Sequence, residues 1–189
     1  TERLLGSLGV ALVPVESPDE AELVFINTCA FIQPATEESV RTIAQAIADI
    51  EELPKRPLLA VAGCLVGRYH AEDLAPELPE VDLWLDNSDL EAWPAMLARK
   101  LGLPEPTVPG RILSTGPSYA WLKISDGCRH ACSFCAIPNI RGGHRSHCKD
   151  MIVREARALL DQGVKELNLV AQDLTEWGCD LDGKQDLRT

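Results

Sequence analysis

The sequence has no long apolar run: the longest nearly uninterrupted one, Leu58 to Val66, is nine residues, about half of the roughly 20 needed to span a bilayer. A transmembrane helix is excluded. The chain opens on Thr1-Glu2-Arg3-Leu4 with no initiator Met, no basic n-region and no apolar h-region, so no secretory leader is expected and Thr1 reads as the start of a fragment. Aromatic residues make up only 5%, and neither an internal repeat nor a low-complexity tract is visible. With 46% hydrophobic and 25% charged residues in a length of 189, the make-up is that of one or two soluble globular domains rather than a disordered chain. That length suffices to bury roughly 70% of the surface an unfolded chain exposes.

Positive charge is scarce in the first part. Residues 1–110 carry 7 Lys and Arg against 19 Asp and Glu, a net of −12, whereas residues 111–189 carry 11 against 10, a net of +1. So acidic a surface argues against a first domain that grips a nucleic-acid backbone, because that affinity rests on phosphate neutralisation by basic groups.

The first part alternates strand and helix patterns. Val10–Val15 and Glu22–Asn27 read as strands, the second leading to Cys29; Pro34 suits a first helical turn, and Val40, Ile43, Ala44, Ile47 and Ile50 recur at helical spacing to about Leu53. Leu58–Ala62 is the next strand, running into Gly63-Cys64, followed by a short helix near Arg68–Leu74 and a strand at Val81–Leu85. Ser88 with Glu91 resembles a capping box for a helix that turns Leu90, Trp93, Leu97 and Leu101 inward. Such alternation implies a mainly parallel sheet flanked by helices. Between Gly102 and Ser118 the periodicity stops and Pro and Gly crowd the chain, which marks a domain boundary. Beyond it, Tyr119–Ile124 reads as a strand, 127–149 as a long loop, Asp150 as the N-cap of a helix to Gln162 closed by Gly163, and Glu166–Ala171 as a second strand. The whole of 119–171 is thus one βαβ unit, and a first loop of that length is usually functional.

Seven cysteines are too few for a disulfide scaffold, and three of them fall within Cys128–Cys135. Without secretion signals, clustered thiols of this kind belong in a reducing compartment, so a cytoplasmic protein is expected. Cys128-x3-Cys132-x2-Cys135 is one thiolate short of a closed tetrahedral site. A cubane iron-sulfur cluster normally takes four cysteines, so three leave one iron open to a non-protein ligand. Structural zinc with His130, His144 or His147 as fourth ligand is the alternative, since Cys3His is an ordinary zinc set, and an electron carrier would need a fourth cysteine in register. Cys148 and Cys179 lie outside every motif. Arg129, Arg141, Arg145, Lys149, Arg154 and Arg157 form a basic stretch, read either as solvated charge or as a rim that meets an anionic partner.

Cys128-x3-Cys132-x2-Cys135, with Phe134 before the last cysteine, resembles the signature of radical S-adenosylmethionine (SAM) enzymes. Lys123–Cys128, Phe134–Pro138, Ile140–Gly142, Arg145-Ser146 and Gly163–Asp173 together resemble the methylthiotransferases, over essentially the whole chain. The resemblance implies an α/β fold: an N-terminal parallel-sheet methylthiotransferase domain over 1–104, a linker over 105–118, and the first βαβ part of a radical SAM β/α barrel over 119–189, truncated. It implies two 4Fe-4S clusters and SAM as cofactors. Cys128, Cys132 and Cys135 would hold the SAM-binding cluster, with Phe134 and Gln172 at the cofactor; Cys29 and Cys64 would be two ligands of an auxiliary cluster whose third lies upstream of Thr1. By the same resemblance, an external electron donor reduces the first cluster and the auxiliary cluster supplies sulfur. A fragment of this extent is expected not to turn over alone. The partner is either a small-subunit ribosomal protein, modified at an aspartate, or transfer RNA, modified at an adenosine. Gln172-Asp173-Leu174-Thr175, Trp177-Gly178 and the strand Tyr119–Lys123 resemble the ribosomal-protein branch.

Overall fold

The computed structural model describes residues 7–8, 13–106, 111–113 and 116–183. The chain divides into two compact units, Thr1–Ile112 and Leu113–Thr189.

The first unit is built on a parallel sheet of order β1-β2-β3, with β1 at Leu23–Thr28, β2 at Leu58–Gly63 and β3 at Leu83–Leu85. The central strand is apolar throughout and buried from Leu59 onward, as a strand covered on both faces must be. Helix α1 (Gln33–Glu51) connects β1 to β2. Its inward stripe is Thr36, Ser39, Ile43, Ile47 and Ile50, whereas Val40 and Ala44 of the expected stripe point outward. Ile43, Ile47 and Ile50 pack with Leu59, Val61, Leu65, Val66 and Val81 on one side of the sheet. On the other side, α4 (Trp93–Leu101) sets Trp93, Leu97 and Ala98 against Ala60, Ala62, Leu83 and Leu85.

Several sequence expectations are corrected. In the expected strand Val10–Val15, residues 10–12 lie outside the described residues, and 13–15 are irregular with Val13 79% exposed; Pro14 can donate no ladder hydrogen bond. The helix expected near Arg68–Leu74 is two short ones, α2 (Cys64–Tyr69) and α3 (Ala71–Leu74), broken at His70, whose φ is +60°. The Ser88–Glu91 pair does not cap α4. Asp86 instead accepts from the Ser88 amide at 2.7 Å to close a 3-10 turn over Asn87–Asp89, and α4 starts at Trp93 with Pro94 in its first turn, a position that proline's fixed φ favours.

The second unit is a βαβ unit. Strands β4 (Tyr119–Lys123) and β7 (Glu166–Val170) pair in parallel, Tyr119 opposite Glu166 and Lys123 opposite Val170. Helix α6 (Lys149–Asp161) joins them and begins two residues earlier than an N-cap at Asp150 would set it, because Cys148 is the N-cap. Gly163 follows it at φ +90°. Leu159 packs with Ala120, Leu122, Ile124, Val164 and Trp177. The segment expected as one long loop holds more order: β5 (Ser125–Asp126) pairs antiparallel with β6 (Arg145–Ser146), and α5 (Ile137–Arg141) lies between them.

Candidate metal and cofactor centres

Cys29 and Cys64 follow the carboxyl ends of adjacent parallel strands. Thr28 is in register with Gly63, so each cysteine stands one residue beyond a paired position. The approach is close enough to require glycine: at Gly63 φ is +104°, and a Cβ would stand 2.4 Å from the Thr28 carbonyl oxygen and 2.8 Å from Asn27 Oδ1. Thr28 Oγ1 donates to the Ala62 carbonyl at 2.6 Å and accepts from the Leu65 amide at 3.2 Å, taking up one of the amides left unpaired in a first helical turn. Ser39 Oγ accepts from the Cys29 amide at 3.1 Å and faces the Cys29 carbonyl at 2.8 Å. Arg68 donates to the Ala30 carbonyl at 2.6 Å. The backbone on both sides of Cys29 is thus held, and its side chain is exposed.

The three-cysteine loop leaves the carboxyl end of β4 through β5. Gly127 permits the reversal: its φ is +69°, and a Cβ there would stand 2.2 Å from the Gly143 carbonyl oxygen and 2.6 Å from that of Gly142. The Cys128 amide donates to the Gly142 carbonyl at 3.3 Å, and the Cys135 amide to the Cys132 carbonyl at 3.0 Å. Cys128 and Cys135 are half-buried, Cys132 is exposed, and Phe134 is 91% exposed. No disulfide joins any cysteine among the described residues.

Two neighbours of the loop were not evident from spacing. His130 Nε2 lies 2.9 Å from Asp173 Oδ2, and these two side chains gather with Cys128 so that their ligand atoms lie within 4.8 Å of one another. Arg129 pairs with Glu176. Asp173, just past β7, is held below the usual carboxylate range chiefly by the Thr175 hydroxyl, with smaller contributions from the Thr175 amide and His130. Gln172 beside it is exposed.

At the foot of the loop, buried Asp126 pairs with Lys123 and has Arg141 at 3.8 Å. Burial holds the Lys123 ammonium below its ordinary value, against the opposing pull of Asp126. Two members of the basic stretch, Arg129 and Arg141, therefore face carboxylates of this chain.

The three loop thiols are not gathered as a single tetrahedral ion would require. A tetrahedral zinc holds its ligand atoms about 2.0–2.3 Å from the metal, hence within about 4 Å of one another. Among the described residues, the groups of three that gather within 4.8 Å are Cys128–His130–Asp173 and His144–Cys179–Asp180. The three loop thiols do not form such a group. Of the histidines considered as a fourth zinc ligand, His130 neighbours Cys128, and His144 is drawn to Asp180 instead.

Trp177-Gly178, singled out as a branch motif, is structural here. Trp177 is buried and donates through Nε1 to the His147 carbonyl at 3.0 Å, and the Gly178 amide donates to Ser146 Oγ at 2.8 Å.

The family described as Uncharacterized protein family UPF0004 matches residues 1–86. Over the full length the chain is 67% identical to the ribosomal protein uS12 methylthiotransferase RimO of Nitratidesulfovibrio vulgaris and 59% identical to the RimO of Oleidesulfovibrio alaskensis. It is 48% identical to the RimO of Aquifex aeolicus over 184 residues, 96% of this chain and 40% of that one. By sequence the chain is similar, over all or nearly all of its length, to part of each of these methylthiotransferases. It spans 44% of the length of each of the first two relatives.

Proposed function

We propose that the chain is part of a radical SAM methylthiotransferase that adds a methylthio group to an aspartate of ribosomal protein uS12. The observation that carries the reading is the loop Cys128–Cys135, set at the carboxyl end of β4 by the Gly127 reversal, with three thiols spread wider than one ion needs. The carboxyl ends of parallel strands are where ligands and catalytic groups collect in α/β folds.

Cys128, Cys132 and Cys135 would hold a 4Fe-4S cluster with one iron left to SAM, and Phe134 and Gln172 would border the cofactor. Cys29 and Cys64 would supply two ligands of the auxiliary cluster. When bound, the clusters supply the reducing electron that cleaves SAM and the sulfur to be transferred, and an external donor replenishes the electron.

The chain's own groups hold and orient these parts. The Gly127 turn and the Cys128 amide bond to Gly142 fix the loop's entry. His130 and Asp173 join the loop after β4 to the turn after β7, so the two strand ends that face the cofactor keep their spacing. In the first unit, Thr28, Ser39 and Gly63 hold the peptide segments that carry Cys29 and Cys64.

The relatives' name and the charge of the chain support this substrate. The first part of the chain carries −12, which an acidic RNA backbone would meet at a cost that a protein loop largely avoids. A cytoplasmic location accords with a ribosomal target. The test offers the full-length enzyme, reduced and reconstituted, both purified uS12 and unmodified transfer RNA. A sulfur-plus-methyl mass gain on the uS12 aspartate is expected; a gain confined to transfer RNA adenosine overturns the substrate assignment.

A further inference from the structure

Cys179 falls outside every motif, yet the fold places it beside two other metal-binding side chains. One ring nitrogen of His144, the Cys179 sulfur and a carboxylate oxygen of Asp180 lie within 4.8 Å of one another. A tetrahedral zinc with ligands at about 2.0–2.3 Å sets them about 3.3–3.8 Å apart, so small side-chain rotations close the set. We propose that His144, Cys179 and Asp180 form a divalent-metal site, taking zinc with water in the fourth position, separate from both cysteine clusters.

Three further observations support it. The ring of His144 is 2% exposed, and Nδ1 is buried without a hydrogen-bond partner among the described residues, whereas Nε2 faces Ser146 Oγ at 3.1 Å and Asp180 Oδ1 at 3.7 Å. Nε2 is therefore the ring nitrogen on the side of Asp180 Oδ1, and burial of the ring holds it there. The carboxylate is held too: the Ser146 amide donates to Asp180 Oδ2 at 2.9 Å, leaving Oδ1 toward the ring. Finally, the scaffold is already bonded across the site. The Gly178 amide donates to Ser146 Oγ and the Trp177 indole to the His147 carbonyl, so the backbones that carry the ligands are tied before any metal arrives.

The charge balances, since neutral imidazole, thiolate and carboxylate bring two negative charges to a divalent cation. Binding breaks the Cys179 S–H bond and releases its proton to solvent as the sulfur–metal bond forms. Cys179 is exposed, which leaves room for entry and for the water. The site would clip β6 to the turn after β7. It does not rest on the cluster reading, because none of its ligands belongs to either cysteine set.

The test uses the full chain with Cys29, Cys64, Cys128, Cys132 and Cys135 changed to Ser, titrated anaerobically with cobalt as a spectroscopic stand-in for zinc. One cobalt per chain, with tetrahedral d–d bands and a thiolate-to-cobalt charge-transfer band, is expected. Cys179→Ser should remove the charge-transfer band and weaken binding at least tenfold, His144→Gln should weaken it similarly, and Cys148→Ser should change nothing. No stoichiometric binding, or a thiolate band that survives Cys179→Ser, overturns the proposal. Should the five-serine chain fail to fold, the parent chain reconstituted with iron and sulfide, given one equivalent of zinc and gel-filtered, decides the matter by elemental analysis. Zinc retained by the parent but lost in Cys179→Ser, at unchanged iron, supports the site; equal zinc in both overturns it.

Discussion

Replacing Gly63 by Ala is the sharpest structural perturbation available near the cysteine pair Cys29 and Cys64. With φ +104° and ψ −156°, Gly63 occupies a region essentially restricted to glycine, where another residue costs about 1–3 kcal/mol. The added methyl would also stand 2.4 Å from the Thr28 carbonyl oxygen and 2.8 Å from the Thr28 amide nitrogen. Both are backbone atoms of β1, so relief requires the ends of β1 and β2 to part, an overpacking cost of about 1–3 kcal/mol. Together about 2–6 kcal/mol is expected, a large share of the 5–15 kcal/mol by which whole domains are typically stable. At about 4–8 °C per kcal/mol for a unit of this size, the first transition should fall by at least about 8 °C. Gly102→Ala is the control, because Gly102 has φ +68° with nothing within 4 Å of the added Cβ, leaving only the left-handed backbone cost of about 1–2 kcal/mol. Thermal unfolding followed by far-ultraviolet circular dichroism compares the two. A Gly63→Ala chain no less stable than Gly102→Ala would refute the close-approach argument.

Ser39→Ala removes the hydroxyl that links α1 to both backbone groups of Cys29; a loss of about 1–3 kcal/mol in urea unfolding is expected, and an unchanged midpoint would show that the clamp is idle. Lys123, held below its ordinary value near 10.5 by burial, binds fewer protons in the folded chain than in the unfolded one between the two pKa values. Stability of the second unit should therefore rise with pH through that window, relative to Lys123→Met, and parallel pH profiles of the two would contradict the burial argument.

The parallel strands and the two cysteine positions after them were legible because buried parallel strands read as continuous apolar runs, as Glu22–Asn27 and Leu58–Ala62 do. The inward face of α1 was misread for a physical reason. Its stripe begins with two polar residues, Thr36 and Ser39, and apolar spacing alone substituted Val40 and Ala44. A polar residue in register with Ile43, Ile47 and Ile50 was the available signal that a buried hydrogen bond awaited it. The ribbon β5–β6 escaped notice because two-residue strands carry no period. Likewise, His130 beside Asp173 and His144 beside Asp180 join residues 43 and 36 positions apart, and only the fold brings such pairs together. The α4 start shows two local signals in competition: Trp93-Pro94 prevails over the Ser88–Glu91 pattern because Asp86 takes the Ser88 amide.

The central claim is that Cys128, Cys132 and Cys135 hold a cubane open at one iron, and iron and sulfide analysis with an ultraviolet-visible spectrum after anaerobic reconstitution tests it most directly. In a Cys29→Ala, Cys64→Ala chain, the account predicts a brown protein with about four irons, the content of one cubane, and loss of that iron on further Cys132→Ala substitution. A colourless chain that takes up one zinc and no iron at these thiols would contradict it.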